Sequence, residues 1–221
     1  MFGFIERRKF INIEKLNKMK IICIGRNYSE HAKELNNALP KEPMFFMKPD
    51  TAILIRNRPF YIPDFSDEIH YETELVIKIS KNGKNIQEKF AHNYYDKITL
   101  GIDFTARDIQ RKCKEKGHPW EIAKAFDKSA PISTFIPFSE LNNRDEIQFH
   151  MDLNGKTVQK GNSKDMIFSF EKVISYVSQF IYLKMGDMIF TGTPAGVGKV
   201  NIGDRITAYL EDRKMLDFMI K

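Results

Sequence analysis

The segment His70-Tyr71-Glu72-Thr73-Glu74-Leu75-Val76 sets two acids two residues apart in a strand-like run. Residues i and i+2 of a strand share a face, so Glu72 and Glu74 should converge. Like charges there repel unless a cation lies between them, and a hard divalent ion such as Mg²⁺ or Mn²⁺ prefers oxygen ligands. The alternative is a solvent-facing edge strand with ordinary acids. Asp103, among apolar Leu100, Ile102 and Phe104, adds a third carboxylate in a run that reads as buried. Buried carboxylates are costly unless paired or metal-bound. Glu72, Glu74 and Asp103 could then form a three-oxygen site with positions left for water and substrate. A plain Asp103–Arg107 ion pair is the simpler reading.

A second group lies in Asn27–Glu34. On a helix, His31 and Glu34 stand at i and i+3 and can touch. A carboxylate holding an imidazole fixes its tautomer and raises its basicity, which suits a general base acting on water. The same pair would also suit a solvated helix face. Lys124, in Pro119–Asp127, is flanked by apolar and aromatic residues. If desolvated beside a metal or carboxylates it would stabilise an enolate or oxyanion; otherwise it is an amphipathic surface lysine. Arg107 and Gln110, one helical turn apart just after Asp103, could donate hydrogen bonds to a substrate carboxylate or carbonyl.

The elements that must position these groups read as a strand-rich α+β pattern. Strand-like runs fall at 20–24, 44–48, 52–55, 70–80, 98–105, 147–153, 156–160, 187–191, 205–211 and 215–220. Helical stretches fall at 28–36, 107–116 and 169–183. Asn154-Gly155 marks a hairpin, because both residues tolerate positive φ. Regular βαβ alternation is absent, which argues against Rossmann and TIM folds. Gly192–Gly198 (GTPAGVG) has neither a following Lys-Ser/Thr nor a following helix, so a nucleotide loop is not expected.

Composition narrows the class. The 221 residues are 42% hydrophobic with 18 Phe, far too apolar for a disordered chain and long enough for one sizeable core. No stretch longer than 11 residues lacks an Asp, Glu, Lys or Arg, so no transmembrane helix is expected. The net charge is +6, and residues 1–18 carry +3 of it, from five Lys/Arg and two Glu. Basic residues alternate with acids instead of forming a stripe, so no nucleic-acid partner is expected. Mild basicity would help steer an anionic small substrate. Cys23 and Cys113 match no metal or redox spacing, so a reduced, cytoplasmic setting is expected, with no secretory signal in residues 1–18. Residues 1–18 read as an extension of unknown role before one domain at 19–221.

The motifs GRNYSEHAKEL, FMKPD, HYETEL, GIDFTARDIQ, AKAFDKSAP and GDMIFTGTPAGVG, in this order, resemble the fumarylacetoacetate hydrolase superfamily. The likeness runs from about Met19 to the C-terminus and is greatest to the short, single-domain acylpyruvase or oxaloacetate decarboxylase/tautomerase type. It implies mixed β-sheets rolled into a barrel-like fold around a central site, with a few peripheral helices, as a homodimer. It implies Mg²⁺ or Mn²⁺ on Glu72, Glu74 and Asp103, a His31–Glu34 dyad on a mobile lid, and Lys124 beside the metal. Arg107, Gln110, Lys48 and Thr193 would contact the substrate. The separate N-terminal domain of the long eukaryotic fumarylacetoacetases is missing, which argues against that activity.

The expected function is C–C hydrolysis of a small 2,4-dioxo acid of the acylpyruvate or fumarylpyruvate type, through a metal-stabilised pyruvate enolate. Oxaloacetate decarboxylation or tautomerisation, and isomerisation of the 2-hydroxyhepta-2,4-diene-1,7-dioate type, share that electron sink and are the alternatives. A metal-dependent dicarboxylate-binding protein is the non-enzymatic one.

Overall fold

The computed structural model describes residues 19–34 and 38–221, so the extension at 1–18 lies outside the described residues. The strands are β1 (Ile21–Gly25), β2 (Met44–Lys48), β3 (Ile53–Leu54), β4 (Ile69–Tyr71), β5 (Thr73–Ile79), β6 (Tyr95–Ile102), β7 (Thr105–Ala106) and β8 (Ala130–Pro131). They continue with β9 (Ile136–Pro137), β10 (Gln148–Leu153), β11 (Lys156–Asn162), β12 (Met188–Phe190), β13 (Gly198–Lys199), β14 (Arg205–Leu210) and β15 (Arg213–Met219). The helices are α1 (Ser29–Glu34), α2 (Arg107–Lys116), α3 (Glu121–Lys124) and α4 (Phe170–Phe180).

The central sheet runs β2-β1-β12-β5-β6-β9, with β1 and β12 parallel and the other neighbours antiparallel. Covered on both faces, its inner strands are apolar without alternation, as in the Ile21-Ile22-Cys23-Ile24 run of β1. A four-stranded sheet, β11-β10-β14-β15, packs beside it, and β14 alternates buried and partly exposed positions as a half-covered strand should. Small sheets β13-β4-β7 and β3-β8 complete the α+β architecture. No ring of strands closes among the described residues: the central sheet ends at β2 and β9.

The Asn154-Gly155 hairpin forms between β10 and β11 with φ of 55° and 78°, the positive values its sequence favours. The one long strand read over 70–80 is two. The chain leaves the small sheet after β4, passes Glu72, and enters the central sheet as β5. Likewise, the run at 98–105 breaks at Asp103-Phe104, between β6 and β7. A period-two pattern does not show a strand changing partners, because the side chains stay buried on both sides of the break. Ser169 caps α4 through its Oγ, which accepts from the Lys172 amide at 3.2 Å.

Candidate active site

The three acids meet because their strands are paired. In the antiparallel β5–β6 ladder Thr73 lies opposite Ile102 and Glu74 opposite Gly101, so the residues just beyond, Glu72 and Asp103, come together. The Asp103 amide donates to the Glu72 carbonyl at 2.8 Å, extending the ladder across the two breaks. One oxygen from each of Glu72, Glu74 and Asp103 lies within 4.8 Å of the others, and all three residues are buried.

Their charges are treated unequally. Glu72 accepts from Arg107 Nη2 and from Lys124 Nζ, the latter at 2.8 Å. Burial works to raise its pKa, but Lys124 and Arg107 prevail and hold the carboxyl well below the usual range. Asp103 accepts from Lys124 Nζ at 2.7 Å through Oδ2. Its Oδ1 lies 2.8 Å from Lys48 Nζ as an ion pair, but out of hydrogen-bond alignment, so that buried oxygen accepts no hydrogen bond. Glu74 has no ion-pair partner among the described residues and accepts only the Gly192 amide, at 2.8 Å. Burial first, then the charges of Asp103 and Glu72, push its pKa well above the usual range. A buried acid without a cation, beside an acceptor with an open lone pair, is the donor set a divalent oxygen-seeking ion fits.

Lys124 comes from α3, a single turn the sequence did not announce, and is buried with its ammonium on Glu72, Asp103 and the Thr105 hydroxyl. Those carboxylates outweigh burial and raise its pKa, so it stays charged. Lys48, at the end of β2, lies beneath the cavity wall: its Nζ donates to Ser129 Oγ at 2.9 Å and to the Lys124 carbonyl. It braces Asp103 and α3 and does not line the cavity. Arg107 and Gln110 share the buried face of α2, with Arg107 Nη1 donating to Gln110 Oε1 at 2.6 Å. Thr193 lies on the loop after β12, where its hydroxyl donates to the Thr73 carbonyl at 2.9 Å.

His31 and Glu34 sit on α1 as the spacing predicts, with Nδ1 3.3 Å from Glu34 Oε2. His31 is buried and faces the cavity, whereas Glu34 is exposed and also accepts the Gly196 amide at 3.1 Å. The cavity, about 440 Å³ including its open mouth, is bounded by the triad, His31, Arg107 and Lys124, with Phe46 and Trp120 on its apolar side.

A model of the fumarylacetoacetate (FAA) hydrolase C-terminal family matches residues 20–219. The chain belongs to the fumarylacetoacetate hydrolase family. It is 41% identical over 202 residues, 91% of each chain, to the mitochondrial oxaloacetate tautomerase FAHD1 of Arabidopsis thaliana. It is 43% identical over 188 residues, 85% of this chain and 86% of the other, to the mitochondrial oxaloacetate decarboxylase of Dictyostelium discoideum. The crystal structure of fumarylpyruvate hydrolase from Pseudomonas aeruginosa, in complex with Mn²⁺ and pyruvate, superposes with a TM-score of 0.87 at 35% identity. The superposition covers 92% of this chain and 89% of that one. Both curated relatives are designated mitochondrial, whereas the cysteine usage led us to expect a cytoplasmic setting. Among the described residues no helix is long and apolar enough to cross a membrane.

Several residues of this family member were not singled out in the sequence. His70 Nδ1 accepts from Arg107 Nε at 3.4 Å while its Nε2 faces Glu68 Oε1 at 2.9 Å, which braces the guanidinium from behind. Burial, then the Arg107 charge, lowers the His70 pKa and favours the neutral ring that accepts this bond. Its place two residues before Glu72 was the available signal. Gln159 on β11 gave none: its Nε2 donates to Thr193 Oγ1 at 2.8 Å across a separation of 34 residues. Asn27 binds the Phe168 and Thr191 carbonyls through Nδ2, at 3.0 and 2.8 Å, and accepts the Phe168 amide at 2.8 Å, fixing the turn between β1 and α1.

Proposed function

We propose that this family member is an enzyme that breaks a bond at C3, the carbon beside the 2-oxo group of a small 2-oxo acid, with oxaloacetate the first substrate to test. The observation that carries this reading is the buried Glu72–Glu74–Asp103 triad at the base of a small cavity that also presents Lys124, Arg107 and His31. The relatives named for oxaloacetate chemistry, at 41% and 43% identity, support the substrate.

Glu72, Glu74 and Asp103 would hold a Mg²⁺ or Mn²⁺ ion, which when bound supplies Lewis-acid polarisation of the 2-oxo acid. Lys124 keeps a fixed positive charge beside the triad, where negative charge would gather on the 2-oxygen as C3 loses a proton or its bond to C4 is broken. Arg107, held by Glu72, Gln110 and His70, adds a second fixed charge whose orientation is set before substrate arrives. His31 holds or moves the proton. Glu34 sets the ring's orientation, and Nε2, the nitrogen away from Glu34, is free to act on the substrate C3 or on a water. Phe46 and Trp120 screen the site from bulk water.

Hydrolysis of a C–C bond in an acylpyruvate or fumarylpyruvate is the second reading. The His31–Glu34 pair favours it, because water must be deprotonated to attack the 4-carbonyl, and so does the likeness to fumarylpyruvate hydrolase. In the assay that decides between them, Mg²⁺-loaded protein is followed for loss of oxaloacetate enol absorbance and for pyruvate release from oxaloacetate and from acetylpyruvate, each with an EDTA control. Enol loss alone indicates a tautomerase, pyruvate from oxaloacetate a decarboxylase, and pyruvate from acetylpyruvate the hydrolase. Silence on all of them rejects the 2-oxo-acid reading.

A further inference from the structure

Gln159 is the only fully buried residue of β11, and it is polar. A buried side-chain amide is costly unless hydrogen-bonded, and this one is engaged at both ends. Its Oε1 accepts from the Thr73 amide at 3.0 Å. Its Nε2 donates to Thr193 Oγ1 at 2.8 Å and to the Pro194 carbonyl at 3.0 Å. These partners fix the orientation, because a backbone N–H must face the amide oxygen and a carbonyl must face the nitrogen. Thr193 Oγ1 donates in turn to the Thr73 carbonyl at 2.9 Å, which closes a ring of hydrogen bonds through Thr73, Gln159 and Thr193.

The ring stands where a ladder stops. In β5 the Leu75 carbonyl accepts from the Thr191 amide at 3.1 Å. Thr73 turns its backbone groups to the same side, as alternate residues of a strand do, but β12 has ended at Phe190 and the chain departs along the cavity wall. The Thr73 amide and carbonyl are taken instead by two side chains. Gln159 therefore fills the gap between β5 and the departing loop, and it reaches there from the four-stranded sheet. It stands behind the loop and does not line the cavity.

The loop that Gln159 holds touches both halves of the site. The Gly192 amide donates to Glu74 of the triad at 2.8 Å, and the Gly196 amide donates to Glu34 beside His31 at 3.1 Å. Between these two glycines stand Thr193 and Pro194, the residues that Gln159 binds. The preceding residue of β11 adds to the support, because the Val158 carbonyl oxygen occupies the place a Cβ on Gly196 would need. One short stretch of β11 thus backs the loop from Thr193 to Gly196.

We infer that Gln159 is a positioning residue: by holding Thr193 and Pro194 away from β5 it fixes the Gly196 amide, and through Glu34 it sets His31 relative to the triad. A base that acts on a bound substrate must be held in place before the substrate arrives, and a fully bonded amide behind the loop does this without entering the cavity. The inference rests on the proposed 2-oxo-acid function, in which His31 holds or moves the proton.

The test is a double-mutant cycle on oxaloacetate turnover by the Mg²⁺-loaded protein, with hydrogen–deuterium exchange of the same variants free of metal. Gln159→Met matches the side chain in length and removes its three bonds. It should lower kcat by about tenfold in the parent, since a general base contributes about 10²–10⁴-fold and is only partly misplaced. In a Glu34→Ala background the same change should cost less than about twofold, because the group through which Gln159 acts is gone. Exchange across 192–198 should quicken by about tenfold while β14 and β15 keep their protection. Gln159→Glu keeps an oxygen for the Thr73 amide and removes the donor to the loop; it should give the same pattern, and it is read alone if Gln159→Met does not fold. An equal loss of kcat in both backgrounds, parent-like exchange across 192–198, or a loss of Mg²⁺ binding that matches the loss of turnover overturns the positioning role. A parent silent on both oxaloacetate and acetylpyruvate rejects the 2-oxo-acid reading, and exchange across 192–198 then decides by itself whether Gln159 holds the loop.

Discussion

Glu72 and Glu74 were read as equivalent, two acids on one strand face, and the tertiary structure makes them opposites. Glu72 is the anchor of two cations, whereas Glu74 has only a backbone amide. Removing one partner of a buried pair leaves the other charge uncompensated, so Glu72→Gln should destabilise the metal-free protein by about 3–5 kcal/mol. Glu74→Gln should do the reverse. An acid whose folded pKa is raised contributes stability below its unfolded pKa and loses it as pH rises, so replacing it removes that penalty at neutral and alkaline pH. In EDTA at pH 8, Glu74→Gln should therefore melt above the parent and Glu72→Gln below it, while both lose Mg²⁺ binding in calorimetry. If the two variants melt alike without metal, the unequal pairing is wrong.

At the scale of elements, the site depends on α1, which carries His31 and Glu34 and touches the loop after β12 through one amide. Gly196 offers that amide with φ 96°, and a Cβ there would lie 2.2 Å from the Val158 carbonyl oxygen. Alanine at this position must adopt a strained backbone or push the loop from β11, and either displaces the donor that holds Glu34. Gly196→Ala should lower the turnover of oxaloacetate by about tenfold or more, since a general base contributes about 10²–10⁴-fold and is only partly misplaced. Mg²⁺ affinity should change little, because the triad stands on β5 and β6. Steady-state kinetics beside metal titration separate these effects, and a loss of metal binding equal to the loss of turnover would place the defect in the triad instead.

For the whole molecule, an ion that binds only the folded chain stabilises it in proportion to the logarithm of its concentration. At one hundred times its dissociation constant the gain is about 2.7 kcal/mol, which for a chain of this size raises the melting temperature by about 5–11 °C. Scanning calorimetry with Mg²⁺ and then with excess EDTA should show that shift, and Glu74→Gln should abolish it. A parent that melts at one temperature in both solutions holds no resident ion at this site. We further propose that residues 19–221 suffice for folding: deleting residues 1–18, which removes half of the +6 net charge, should preserve the Mg²⁺-dependent shift in melting temperature.

Much was legible in the order of residues because it depends on local periodicity. Strand i, i+2 spacing announced Glu72 with Glu74, helix i, i+3 spacing announced His31 with Glu34, and Asn154-Gly155 announced the β10–β11 turn. The acidic character of the site was likewise visible, since Asp103 in an apolar run calls for a partner. The sequence could not show which cation each acid would meet, because those partners are 21 to 55 residues away along the chain. Nor could it show that Lys48 would lie beneath the cavity or that Gln159 would reach Thr193. These depend on the pairing of β5 with β6 and on the packing of α2 and α3 against them. Propensity and periodicity act over a few residues, whereas the charge state of a buried group is set by whatever the folded chain brings within a few ångströms of it.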